Sequence, residues 1–260
     1  MNGSWKGRTI SVLLGLVAGV TMISFFSPIC AQVVPRNVDF ESARARMVRR
    51  DLAPRGITNA VVLRAMGTVP REAYVLSKDR DRAYQDRPLP IEARQTISQP
   101  FIVAAMTQAV NPRPDGVVLE VGTGSGYQAA VLAEVAGQVY TIEIVEELAV
   151  KAKATLAEQG YTNVTVKAGD GYLGWPEHAP FDAIVVTAAP DHVPQPLLDQ
   201  LKAGGRMVIP VGSVWQTQEL LLFEKQEDGS VKRESLMPVR FVPLTGEHTR
   251  GHERDPAEAR

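Results

Sequence analysis

The chain has 260 residues, with 28 lysines and arginines against 29 aspartates and glutamates, a formal charge of -1. That balance excludes recruitment of nucleic acid by bulk electrostatics, and 45% hydrophobic with 22% charged residues excludes a disordered or fibrous chain. One cysteine, Cys30, forms no internal disulfide and builds no cysteine-rich zinc site.

Residues 1–31 have the parts of a secretory signal. Lys6 and Arg8 make a basic start, and Ile10 to Phe26 follow without a charge. Pro28 and Ala31 then give a break and a small residue suited to signal-peptidase cleavage. An uncleaved anchor is the alternative, with membrane contact confined to residues 10–26. A third reading starts the chain at Met47. Lipidation is disfavoured because Ile29, not a small residue, precedes Cys30. Without residues 1–31 the chain keeps 26 basic and 29 acidic side chains and no thiol.

Residues 32–113 read as a helical and substrate-loop region. Phe40, Ala43, Met47 and Leu52 recur at helical spacing over 39–52. Thr58 is the expected N-cap of a helix through Ala60, Val61, Leu63 and Arg64, which Gly67 and Pro70 end. Pro88 and Pro90 predict an extended DRPLPIEARQTI. Ser98, with Pro100 close behind, then predicts the start of an apolar helix through Val103, Met106 and Val110.

Residues 114–246 alternate strand and helix. Strands are predicted at Val117–Val121, Val139–Ile142, Val164–Lys167, Phe181–Val186 and Arg206–Val211. Helices are predicted at Tyr127–Ala136, Val145–Gln159 and Leu197–Leu201. Continuous apolar runs of this kind read as buried parallel strands in right-handed βαβ units. Two further strands, near Glu219–Phe223 and Val231–Phe241, flank the turn QEDGS and read as an antiparallel hairpin at one edge. The fold class is therefore α/β, a doubly wound, mostly parallel seven-stranded sheet with an N-terminal helical extension. The polar tail, 247–260, adds no element.

Gly122, Gly124 and Gly126 sit between the first strand and its helix as G-x-G-x-G. A dinucleotide turn needs G-x-G-x-x-G, and a phosphate loop needs G-x-x-x-x-G-K; neither is present. Glu120 ends the first strand, Glu143 ends the second 23 residues later, and Asp170 follows the third. All three fall on the carboxyl edge of the sheet, where open α/β sheets bind ligands. An acid at the second strand end can accept both ribose hydroxyls. The glycines, these acids and the absence of lysine and arginine from VGTGSGYQAA describe a pocket for a cationic nucleoside without phosphates. That is the pattern of S-adenosylmethionine-dependent methyltransferases.

The stretches VPREAYV (69–75), QTISQP (95–100), VLEVGTGSGYQ (118–128), AGDGYLGW (168–175), PFDAIVVTAAP (180–190), GGRMVIPVG (204–212) and VRFVPLTG (239–246) closely resemble the protein-L-isoaspartate O-methyltransferases. The glycine loop is common to many methyltransferases; QTISQP and the pairing of GDG with FDAIVVTAAP are more specific. The resemblance implies methyl transfer from S-adenosyl-L-methionine to the α-carboxylate of isoaspartyl residues in damaged proteins. The ester then closes to a succinimide that reopens partly to aspartate. It places Ser98 in the active site and maps Glu120, Gly122, Gly124, Gly126, Glu143, Asp170 and Gly171 to the cofactor pocket. Ile97, Thr187, Ala188, Phe241 and Val242 map to the substrate side. No metal is implied. The expected partners are isoaspartyl peptides and proteins, with no nucleic acid and a monomeric chain. The cofactor is made in the cytoplasm, which favours that compartment; export or anchoring through 1–31 is the alternative.

Glu92 and Arg94 stand where the family usually has glycines before QTISQP, which predicts a stiffer loop. His248 and His252 fall in a solvated tail, and His178 and His192 in exposed loops. A different methyltransferase with a small-molecule substrate is the alternative function. A base-amino methylase would carry an Asn/Asp-Pro-Pro-aromatic segment where this chain has TAAP. A binding module that has lost catalysis would have no packing reason to keep all three acids.

Overall fold

Short polar caps and long-range side chains together set the helices of the N-terminal half. The computed structural model describes residues 38–213 and 215–246. The signal-like segment 1–31 with its apolar run 10–26, and the tail with His248 and His252, lie outside the described residues. Helix α1 (Phe40–Met47) starts at Asp39, whose carboxylate accepts from the Ser42 amide at 3.0 Å. It runs on as a π-helical turn through Leu52, so the expected 39–52 helix is one continuous element with a looser end.

Helix α2 (Ala60–Thr68) is capped by Asn59 and not by Thr58. The Asn59 side chain accepts from Val61 and Val62 at 2.9 and 3.3 Å. Gln108 decides the register: its Oε1 accepts from the amides of both Thr58 and Asn59, at 2.8 and 2.9 Å. That contact holds residue 58 outside the helix and moves the cap one position on.

The chain then forms a small antiparallel pair, β1 (Leu89–Pro90) with β2 (Thr96–Ile97). Between them Ala93 and Arg94 take left-handed backbone at φ 51° and 57°. The stretch is therefore a hairpin with a strained tip, not one extended run. Non-glycine residues pay about 1–2 kcal/mol each for that conformation, which explains why glycine suits position 94; Glu92 does not share it. Glu92 pairs with Lys151 across the gap to a later helix.

Helix α3 (Pro100–Val110) begins after Gln99, whose side chain makes no cap bond. Ser98 is not the cap. That role falls to Asp86, 15 residues upstream, whose Oδ1 accepts from the Phe101 amide at 2.9 Å. Its Oδ2 accepts from the Gln99 side chain at 2.7 Å and pairs with Arg55. A remote acid satisfies the helix end as well as a local serine does, because the orphan amide needs only an aimed acceptor. Asp86→Ala is expected to cost about 1–2 kcal/mol of stability, read from urea unfolding. An unchanged midpoint would show that the helix end does not depend on it.

The large sheet contains β3 (Val117–Val121), β4 (Gln138–Glu143), β5 (Val164–Ala168), β6 (Phe181–Val186), β7 (Leu201–Val211), β8 (Gln218–Lys225) and β9 (Val231–Val239). Its order is β5-β4-β3-β6-β7-β8-β9. The first five of these are mutually parallel; β8 and β9 are antiparallel and close the edge. Between strands lie α4 (Tyr127–Ala133), α5 (Glu146–Glu158) and α6 (Gln195–Asp199). Residue alternation splits the core. Val118, Ala183 and Val185 pack with Met106 and Leu132 on one face. Leu119, Ile184 and Val186 pack with Leu197 and Trp175 on the other. β3 is buried on both faces, which is why VVLEV is apolar at every position but Glu120.

The chain leaves β3 toward β4 on one side and β6 lies on the other, so a crevice opens at the carboxyl ends of these three strands. His178 is not exposed as expected: its ring stacks on Tyr140 of β4 at 3.8 Å, a packing partner far upstream in the chain. Among the described residues no helix is long and apolar enough to cross a membrane.

Candidate active site

The glycine turn is held by backbone and by one threonine. Gly122 and Thr123 both donate to the Ile142 carbonyl, at 2.8 and 3.2 Å. Gly122 has φ 97°, and a Cβ there would lie 2.4 Å from the Thr187 hydroxyl. Thr187 itself reaches back from the end of β6, donating toward the carbonyls of Val121 and Gly122 at 3.0 and 2.6 Å. Position 122 therefore admits only glycine for two reasons, backbone angle and space. At Gly126 a Cβ would press to 3.3 Å on Leu156 of α5.

Glu143 is 6% exposed, and both its oxygens are engaged. Oε2 accepts from the Gly124 amide at 2.7 Å and Oε1 from the Val145 amide at 3.0 Å. These bonds aim the carboxylate into the crevice and leave further lone pairs for a ligand's hydroxyls.

Glu120 behaves differently. It is fully buried and does not line the crevice. The Thr141 hydroxyl is hydrogen-bonded to its Oε2, and the Thr123 hydroxyl is hydrogen-bonded to that of Thr141 at 2.6 Å. The acid thus anchors the glycine turn from beneath through two hydroxyls. Burial pushes its pKa up to about 8; the Thr141 bond opposes that shift and the Glu143 charge adds to it. In the folded protein it holds a proton that the unfolded chain releases near 4.5. Stability therefore falls as pH rises between those values, by about 1.4 kcal/mol per pH unit from this group. Glu120→Gln removes the slope and leaves a pH-independent offset. Urea unfolding at pH 5, 6.5 and 8 should show the variant gaining on the parent as pH rises. A constant difference would mean that Glu120 is ionised throughout.

Asp170 also turns away from the ligand space. Its Oδ1 accepts from the Tyr172 amide at 2.9 Å, capping the 3-10 turn Gly171–Leu173, and its carboxylate packs on Gly246. The neighbouring Gly171 does line the crevice, and a Cβ there would meet Val121 at 2.4 Å.

The crevice, together with the open space at its mouth, measures about 890 Å³. The structure brings Ile97, Ser98, Gly122, Gly124, Glu143, Gly171, Thr187, Ala188 and Val242 to its wall, and leaves Glu120, Gly126, Asp170 and Phe241 outside it. Among the described residues no lysine or arginine lines it, so its chemistry suits a cationic ligand and not a phosphate. A second cavity of about 980 Å³ adjoins it, walled by Phe241, Arg240, Gln99 and Ile102 among others. Four residues belong to both walls: Thr96, Ser98, Thr187 and Val242.

Ser98 stands at that junction with its backbone held and its hydroxyl free. Its carbonyl accepts from the Arg71 guanidinium at 2.8 Å. Among the described residues the hydroxyl makes no hydrogen bond, since Asp86 has taken over the cap. On the opposite side, buried Gln218 clasps Phe241 through both its amide and its carbonyl, at 2.6 and 3.1 Å. Val242 and Leu244 then pair with Ala189 at 2.8 and 2.9 Å. Residues 241–244 are thereby laid beside the end of β6. Sequence reasoning missed Gln218, Asp86 and Thr96. Thr96 lies inside QTISQP and could have been found there; the other two carry no local signal.

The profile of the protein-L-isoaspartate (D-aspartate) O-methyltransferases matches residues 43–249. A Gloeobacter violaceus protein-L-isoaspartate O-methyltransferase is 55% identical over 206 residues, which cover 79% of this chain and 100% of the relative. A solved protein-L-isoaspartate O-methyltransferase superposes with a TM-score of 0.72 at 30% identity, covering 82% of this chain and 71% of its own. A Plasmodium falciparum protein assigned to the same family, solved in complex with S-adenosyl-L-homocysteine, gives a TM-score of 0.67 at 24% identity over 79% of this chain and 98% of its own, a likeness of fold. The matched span runs from α1 through the segment that walls both cavities, and the chain belongs to the protein-L-isoaspartate (D-aspartate) O-methyltransferase family.

Proposed function

We propose that the two adjoining cavities hold the two substrates of one methyl transfer, S-adenosyl-L-methionine in the crevice at the glycine turn and an isoaspartyl peptide in the neighbouring groove. The observation that carries this reading is the shared wall of Thr96, Ser98, Thr187 and Val242. The crevice fits the cofactor: backbone approaches closely at Gly122, the aimed Glu143 carboxylate can accept ribose hydroxyls, and no lysine or arginine repels a sulfonium. When bound, the cofactor supplies an electrophilic methyl group.

The chain's own residues then need only align and dehydrate the acceptor. A carboxylate is ionised at neutral pH, with a reference pKa of about 4, so no side chain has to remove a proton. Ser98 offers a free hydroxyl as donor to one carboxylate oxygen. Val242 and Ile97 exclude water from the junction. Residues 241–244, pinned by Gln218 and Ala189, present a fixed backbone against which an extended peptide can lie. The near-neutral charge of the chain suits peptide substrates over nucleic acid.

The deciding experiment uses labelled cofactor with paired peptides that differ only in isoaspartyl or aspartyl linkage. Label is expected on the isoaspartyl peptide alone. Equal labelling of the two, or labelling of neither, would overturn the assignment.

A further inference from the structure

Arg71 is the largest fully buried side chain in the described protein. Its Nε donates to the Ala83 carbonyl and one terminal nitrogen to the Ser98 carbonyl, both at 2.8 Å. Its guanidinium carbon lies 4.7 Å from the centre of the Tyr127 ring. The other terminal nitrogen, Nη1, has no hydrogen-bond partner. No carboxylate is within ion-pair reach of it among the described residues.

A buried cation without an anion in direct contact is a poor way to stabilise a core, because its desolvation is compensated by carbonyl dipoles, the Tyr127 side chain and the more distant Asp86 charge rather than by a close ion pair. An apolar side chain of similar volume would pack the same space at less cost. The geometry accounts for the arginine in another way. Ser98 sits at the junction of the two cavities, and Tyr127 is the first residue of α4, directly after the glycine turn, lining the cofactor crevice. One rigid planar fork therefore touches the acceptor side and the cofactor side together. A lysine could not serve both carbonyls and the ring face in fixed geometry.

We propose that Arg71 is a positioning residue for methyl transfer, locking the Ser98 backbone in register with the cofactor helix so that the free hydroxyl faces the junction of the cavities. It acts through Ser98 and does not itself touch substrate. This rests on the Ser98 role proposed above. It predicts an effect on the rate of transfer and not on cofactor affinity, because a misplacement of about 1 Å can cost about a hundredfold in rate.

The test is a double-mutant cycle with Arg71→Lys and Ser98→Ala, assayed by single-turnover methylation of the isoaspartyl peptide. Arg71→Lys alone is expected to slow transfer at least tenfold, with S-adenosyl-L-homocysteine affinity by calorimetry within twofold of the parent. In the Ser98→Ala background the same change should slow transfer less than twofold, because the two residues act as one unit. Equal losses in both backgrounds, or no loss in the first, would overturn the proposal. A purely structural arginine would lower the melting temperature and leave the rate per folded molecule alone. If Arg71→Lys does not fold, the parent protein decides. The Arg71 Nε–H resonance in the S-adenosyl-L-homocysteine complex should shift when isoaspartyl peptide is added and stay fixed with its aspartyl twin. No shift with either refutes the coupling. Because the parent's own transfer to isoaspartyl peptide is measured alongside, failure of the proposal is separable from failure of the assigned reaction.

Discussion

Ser98→Ala is expected to lower single-turnover methylation of an isoaspartyl peptide by roughly tenfold to a hundredfold while leaving the melting temperature nearly unchanged. The loss corresponds to a hydrogen bond to a charged acceptor, about 1.5–3 kcal/mol. Stability should not move, because Ser98 caps nothing: the α3 amide at Phe101 is satisfied by Asp86. Ser98→Thr keeps a hydroxyl and should retain part of the rate. The isoaspartyl and aspartyl linkages differ in where one methylene sits, and apolar recognition of a methylene supplies only about 1–3 kcal/mol. Fixing the carboxylate at Ser98 adds to that, so the variant should also discriminate less well. The measurement is single-turnover transfer and thermal melting on the same sample. If melting shifts and the rate per folded molecule does not, Ser98 has no part in the reaction.

Glu143→Ala should weaken cofactor binding by about 1.5–3 kcal/mol, the range for hydrogen bonds to a charged group. The structure makes the effect twofold in origin. The carboxylate offered to the ribose is lost, and the Gly124 and Val145 amides lose their acceptor, so the glycine turn is also loosened. Glu143→Gln separates these contributions, because its one remaining carbonyl oxygen can still hold an amide. It should fall between the parent and the alanine variant. Removing the Glu143 charge also relieves one of the causes that raise the Glu120 pKa, so the upper end of the pH range over which stability falls should move down in both variants while its lower end, set by the unfolded chain, stays. Calorimetry with S-adenosyl-L-homocysteine reads the affinity; an unchanged value in folded Glu143→Ala would remove Glu143 from the site.

Local chemistry made most of the architecture legible. The strand runs VVLEV and FDAIVV match β3 and β6 residue for residue, since a strand buried on both faces is apolar at nearly every position, Glu120 and Asp182 being the exceptions here. The G-x-G-x-G turn marked the crevice because a strand turning into a helix under a ligand needs positive φ and no Cβ, and both are seen at Gly122. Helix ends were less legible. Thr58 and Ser98 both looked like caps, and both lost that place to side chains that sequence neighbours cannot reveal, Asn59 through the pull of Gln108 and Asp86 from across a loop.

The acids show the same division. Glu120, Glu143 and Asp170 all reach the carboxyl edge of the sheet, as strand periodicity implied, yet only Glu143 lines the crevice. Alternation along a strand says which residues share a face, but the direction of a side chain at the strand's end is set by what packs against it. Thr141 draws Glu120 downward, and the Tyr172 amide turns Asp170 toward Gly246. In the same way QTISQP marked Ser98 in the chain, but its free hydroxyl depends on Arg71 and Asp86, 27 and 12 residues upstream. Apolar periodicity and glycine spacing act between near neighbours and can be read along a line. A hydrogen bond that redirects a side chain acts between residues that only the folded chain brings within 3 Å.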